Sequence, residues 1–267
     1  MSPSSPADIH VTAPRSAPGP LRHVEQCMGT AFSFHLAAPG VTRHDLQPVL
    51  SWLHDMDALF STYRPESQIS RINAGQLCEA DADDVVRHVL AACEQHRADT
   101  DGYFDARADG YQLDPSGYVK GWAIQTASDM LTAAGSANHC VNGGGDVVCV
   151  GRPAPDRPWR IGVADPHHRD TIVRTVSAAG PIAVATSGLA ERGAHILDPH
   201  TGRPAVELAS VTVAARDLVT ADVCATAAAA MGAERAQAWL RGRQGLLCTL
   251  ITADGVVIDF PARAVSP

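Results

Sequence analysis

The chain has 267 residues, 45% of them hydrophobic and 19% charged, with a formal net charge of -8. That is enough for one large domain, or two small ones, around a real core, and the negative balance argues against a nucleic-acid binder, which lives on phosphate contacts. The seven cysteines are odd in number and form no CxxC pair, so neither a disulfide framework nor a zinc ribbon is indicated.

Residues 1 to about 21 are rich in Pro, Ser and Ala and lack the continuous apolar stretch of a signal peptide. The expectation is a disordered leader over 1–22 and a folded domain over 23–267. No segment has the length and apolarity of a membrane span, so a cytoplasmic location is expected. A strand is predicted over 27–38, with Met28-Gly29-Thr30 near its start. Thr42 or Asp45 opens a helix to about residue 60, with Pro48 early enough to be tolerated. Residues 61–73 are polar and loop-like. Asp81 is a candidate N-cap for a helix to about residue 99. Within it, Cys93-Glu94-Gln95-His96 has zinc-like spacing, but without a second pair it reads as helix surface. Residues 102–117 read as irregular. A third helix spans about 118–134 and stops at Gly135, suited to the C′ position.

The second half is strand-rich, with candidates over 139–150, 159–163, 172–177, 182–186, 210–214, 246–251 and 256–260. One long helix, about 221–240, interrupts them. Cys140, Cys149 and Cys248 lie in apolar runs and read as small core residues. The fold class is α+β, since strands and helices do not alternate as in a doubly wound sheet.

Five clusters carry chemistry. Asp222 and Thr226 are four apart, share a helix face, and offer hard oxygens suited to Mg²⁺. The same residue types also suit an ordinary helix start with Thr220 as N-cap. Asp114 through Gly121 is a turn feeding a helix, with Lys120 in its first turns. Such a helix start binds anions, although an ordinary turn with a solvated lysine has the same sequence. Asn142-Gly143-Gly144-Gly145-Asp146 lacks the register of a dinucleotide-binding loop and reads as a hairpin turn. Thr186-Ser187-Gly188 and the stretch from His195 to Pro204 are turn-rich. No GxSxG elbow surrounds Ser187, and His195 can take a proton near neutral pH. Tyr63, within Ser61-Thr62-Tyr63, and Phe104 offer aromatic faces for a flat ring or for the core.

In their order along residues 25–260, these clusters resemble the FAD:protein FMN transferase (ApbE) family. The resemblance implies a flavin-transferase architecture related to the T-fold, with mixed or antiparallel sheets and flanking helices around a cofactor cleft. It implies that Met28, Tyr63, Phe104, Asp105, Ala106, Asp114, Lys120 and Leu197 line an FAD site. It implies Mg²⁺ held by Asp222, Thr226 and the Gly117 carbonyl, and a proton-transfer role for His195. The implied reaction moves FMN from FAD to a Thr or Ser hydroxyl of an acceptor flavoprotein and releases AMP. A Mg²⁺-dependent FAD pyrophosphatase and a non-catalytic FAD-binding protein are the alternatives. The sequence departs from the family in the few residues between Asp109 and Asp114, and at Arg107, Pro115-Ser116 and Gln125.

Overall fold

The computed structural model describes residues 19–37, 42–108, 112–168, 170–188 and 196–261. An eight-stranded antiparallel sheet organises it, in the order β1-β2-β3-β4-β7-β10-β11-β12. Its strands are β1 (Leu21–Cys27), β2 (Thr30–Leu36), β3 (His139–Gly143), β4 (Asp146–Val150), β7 (Ile182–Ser187), β10 (Leu208–Ala215), β11 (Leu247–Thr252) and β12 (Val257–Phe260). A separate hairpin pairs β5 (Trp159–Ala164) with β6 (Ile172–Ala178), and a short one pairs β8 (Leu197–Asp198) with β9 (Arg203–Pro204). The helices are α1 (Arg43–Phe60), α2 (Gln68–Asn73), α3 (Asp84–Asp99), α4 (Ser116–Ala133), α5 (Leu218–Met231) and α6 (Ala233–Arg241).

The α+β class and the antiparallel pairing agree with the sequence reading. Five local differences follow. The strand expected over 27–38 is the second half of a hairpin. Met28 and Gly29 both adopt positive φ, 52° and 69°, and form a two-residue turn closed by the Cys27–Thr30 pair. Residues 61–73, read as loop, contain α2, because the Ser67 side chain accepts the Ser70 N–H and caps it. The helix read from Asp81 starts later, at Asp84, with Asp83 as its N-cap. Cys93 faces inward on that helix rather than lying on its surface, and burial pushes its thiol up to about 12. The long helix expected over 221–240 is two helices. Gly232 breaks it at φ +74°, and the Glu207 carboxylate accepts the Ala233 N–H at 2.9 Å, capping α6.

Helices α1, α4 and α5 cover one face of the sheet. The main core between them includes Phe32, Phe34, Leu53, Ile124, Leu131, Val211 and Leu250. A second cluster joins α1, α2, α3 and α4 through Phe60, Ile69, Val89, Phe104 and Tyr118. The β5–β6 hairpin covers part of the other face, where Trp159 packs with Val147 and Cys149 and donates its indole N–H to the Val150 carbonyl at 3.0 Å. Among the described residues, no helix is long and apolar enough to cross a membrane.

His139, at the start of β3, is fully buried between Ser128 (2.8 Å) and Ser136. Burial pushes its pKa down, so the folded chain holds it neutral. The unfolded chain takes up that proton below pH ~6.5, so stability falls as the pH drops through that value. Urea unfolding at pH 6.5 and 5.5 is expected to show this loss. His139→Gln should remove about 1 kcal/mol of the difference, since one unmatched proton is worth ~1.4 kcal/mol per pH unit.

Candidate active site

The N-terminus of α4, the second turn of α5, the end of β7 and the β8 segment meet at a cleft of about 330 Å³. Each wall has a local cause. On one side the Asn73 side chain brackets Leu113, donating to its carbonyl at 2.9 Å and accepting its N–H at 2.8 Å. Asp114 follows; its carboxylate accepts the Ser116 N–H at 2.9 Å and turns the chain into α4. The α4 start places Ser116, Gly117 and Lys120 on the cleft, where a helix N-terminus favours negative charge. Phe104, Asp105 and Ala106 form a neighbouring lip, held by the Phe104 N–H to Thr100 Oγ1 at 3.0 Å and by Arg97 to Asp105 at 3.3 Å. Opposite, Leu197 opens the short β8–β9 hairpin, whose turn is tied by Asp198 to the His200 N–H at 2.9 Å.

The floor comes from α5. Its N-cap is Asp217, which accepts the Thr220 N–H at 2.8 Å, and not Thr220 itself. The helix therefore starts earlier than the sequence suggested, and Asp222 lies in its second turn. First-turn dipole chemistry does not account for a carboxylate there. Asp222 is 2% exposed on a helix otherwise built of Ala, Val, Leu, Cys, Thr and Met, yet it reaches the cleft together with Thr226. Thr226 Oγ1 lies 3.0 Å from Ser187 Oγ at the end of β7. Helix α4 crosses α5 at Gly121, where an added Cβ would stand 2.7 Å from Asp222 Oδ2.

Of the residues singled out in the sequence, Phe104, Asp105, Ala106, Asp114, Gly117, Lys120, Leu197, Asp222 and Thr226 line this one cleft. Met28 does not; it sits in the β1–β2 turn, partly buried against both hydrophobic clusters. Tyr63 does not either; its side chain is 93% exposed on the segment that precedes α2. His195 lies outside the described residues, while its neighbours Ile196 and Leu197 line the cleft.

Two features had been read only as turn chemistry. Thr186, Ser187 and Gly188 form part of the wall. Asp146, read as a turn residue, is fully buried and meets Lys120 Nζ at 2.6 Å. The available signal was a carboxylate opening the apolar strand Val147-Val148-Cys149-Val150, which demands a partner. The cleft oxygens, a buried carboxylate with Thr and Ser hydroxyls, are a hard donor set. It fits Mg²⁺, which takes one or two carboxylates and completes its shell with water and substrate phosphates. Among the described residues, no cluster of three or more His, Cys, Asp or Glu could hold a metal without such help.

Comparison with known proteins places the fold and the family. The model of the ApbE family matches residues 28–109 and 106–250. The FAD:protein FMN transferase of Vibrio cholerae is 31% identical over 164 residues, which cover 58% of this chain and 49% of that protein. Its namesake in Rhodobacter capsulatus is 36% identical over 161 residues, 56% of this chain and 30% of that one. The chain thus spans about half or less of the length of these relatives. The flavinyl transferase ApbE of Pseudomonas stutzeri, in its apo form, shares the fold at a TM-score of 0.79 and 26% identity, covering 92% of this chain and 96% of that one. The ApbE protein of Thermotoga maritima does so at 0.78 and 22% identity, covering 90% and 96%. With the family model spanning most of the sequence and the fold shared almost end to end, the chain belongs to the ApbE family.

Proposed function

We propose that this chain transfers the FMN half of FAD to a Ser or Thr hydroxyl of an acceptor protein and releases AMP. The observation that carries the reading is Asp222. It is a buried carboxylate in the second turn of an otherwise uncharged helix, opening with Thr226 onto a cleft that also receives the α4 N-terminus and Lys120. The names of the matched relatives point the same way.

Asp222, Thr226 and the Gly117 carbonyl would hold Mg²⁺, which when bound neutralises charge on the diphosphate and on departing AMP. The remaining work falls to the chain itself. The α4 start brings the positive end of its helix dipole to the cleft at Ser116 and Gly117, and Lys120 adds a positive group, so an anionic diphosphate is favoured there. The Phe104 and Leu197 lips supply apolar surface for the flavin ring. The acceptor hydroxyl attacks the FMN phosphorus, the P–O bond to AMP breaks, and the hydroxyl proton goes to His195.

Incubating the chain with FAD and MgCl₂, with and without an acceptor flavoprotein lacking its flavin, tests this. The acceptor is expected to gain one FMN in phosphoester linkage, with AMP appearing in equal amount and only when the acceptor is present. AMP and free FMN at a rate no acceptor improves would instead mark a pyrophosphatase. FAD bound with no AMP released would mark a binding protein.

A further inference from the structure

The Asn142–Asp146 run has no role in the mechanism above, yet it is built against the cleft. Gly144 and Gly145 adopt φ +60° and +99° and turn β3 directly into β4, so Asp146 enters the sheet as the first residue of a buried strand. Gly143 seats this hairpin on α4: an added Cβ would stand 2.8 Å from Ile124 Cδ1. Ile124 lies one turn beyond Lys120 on the same helix face, so the same approach brings Asp146 to Lys120.

The Asp146 carboxylate is pinned from two sides. Oδ1 accepts the Thr186 N–H at 2.9 Å, and Oδ2 lies 2.6 Å from Lys120 Nζ. Lys120 lines the cleft and Asp146 does not. A fully buried carboxylate tethered to backbone cannot follow a flexible lysine, so the lysine comes to it. We infer that Asp146 is a positioning residue: it fixes the Lys120 ammonium at the cleft wall, where it meets an anionic oxygen of the substrate diphosphate. The inference rests on the reading of the cleft as an FAD site.

The test is a double-mutant cycle read as FAD affinity, by quenching of flavin fluorescence with MgCl₂ present. Asp146→Asn keeps an acceptor for the Thr186 N–H and removes only the charge that faces Lys120. Lys120→Met and Asp146→Asn are each expected to weaken FAD binding about tenfold. The double variant should bind within about twofold of Lys120→Met alone, because both substitutions remove one interaction. An independent structural role for Asp146 would instead multiply the two losses, and that overturns the inference. Should Asp146→Asn alone fail to fold, Lys120→Met is compared with the double variant, which keeps neither charge of the pair. Equal affinity supports the inference and a further tenfold loss overturns it. A wild-type chain that does not bind FAD overturns the functional reading together with this one. An additive cycle in a chain that binds FAD overturns this one alone.

Discussion

Asp222→Asn is expected to lower FMN transfer by about a thousandfold or more while the fold survives. Asparagine matches the carboxylate in shape and keeps one oxygen, but it removes the negative charge that a divalent cation needs. Lewis-acid stabilisation of a phosphoryl transition state is worth several kcal/mol, and each ~1.4 kcal/mol is tenfold in rate. The side chain is 2% exposed, so water cannot take its place as a ligand without opening the α4–α5 contact. Two measurements check this. Single-turnover AMP release in the presence of acceptor should fall with the charge. Thermal unfolding of the wild type should shift upward when MgCl₂ is added with FAD, by mass action on the folded state, and the variant should lose that metal-dependent part. Transfer at the wild-type rate in Asp222→Asn would remove the cation site from the mechanism.

Gly121→Ala comes second, and it acts without replacing any residue that lines the cleft. An added Cβ at Gly121 would stand 2.7 Å from Asp222 Oδ2 and 2.9 Å from Asp222 Cβ. The second contact decides the outcome, because a Cβ is fixed to its backbone and cannot swing aside. The α4–α5 spacing must widen, or Asp222 must tilt. In an exposed helix alanine would gain about 1 kcal/mol over glycine, but overpacking a buried crossing costs typically ~1–3 kcal/mol, so a net loss of stability is expected. The larger effect is on rate. A displacement of about 1 Å at a reacting centre is worth roughly a hundredfold, and the Mg²⁺ concentration for half-maximal transfer should rise as well. Urea unfolding with and without MgCl₂, beside a metal titration of transfer, separates the two effects. An alanine variant with unchanged metal dependence would mean that Asp222 does not need this close crossing.

Much of the fold was legible because its determinants are local. The start of α1 at Thr42 and the stop of α4 before Gly135, whose φ is +92°, follow from neighbouring residues. So does the Gly144–Gly145 turn. The β1–β2 hairpin was not legible, because Met28 in a left-handed conformation is a poor turn signal that only the paired strands enforce. Nor was the break at Gly232, where the Ala233 N–H is capped by Glu207, 26 residues upstream of Ala233. At the site, residues joined along one helix, such as Asp222 with Thr226, could be paired on spacing alone. Asp146 with Lys120 could not, since 26 positions and a change of element separate them. Gln125 gave the same difficulty. It stood out only as a departure from the family pattern, yet its side chain accepts the Leu218 N–H at 2.9 Å and ties α4 to the start of α5.

Helix α5 is surrounded by α4, β4, β7 and β10, and alanines fill four successive positions of its second half, Ala227 to Ala230. Short side chains let its neighbours close in on every side, which leaves no slack for substitution along that stretch. The rims at Phe104–Ala106 and Leu197 hang instead from turns and a two-residue-per-strand ribbon. One end of the cleft is thus clamped by the scaffold, and the Leu197 side is carried on a short ribbon. A bulkier side chain in the Ala227–Ala230 stretch must therefore displace sheet and helix together, whereas a change at Leu197 strains little beyond its own ribbon.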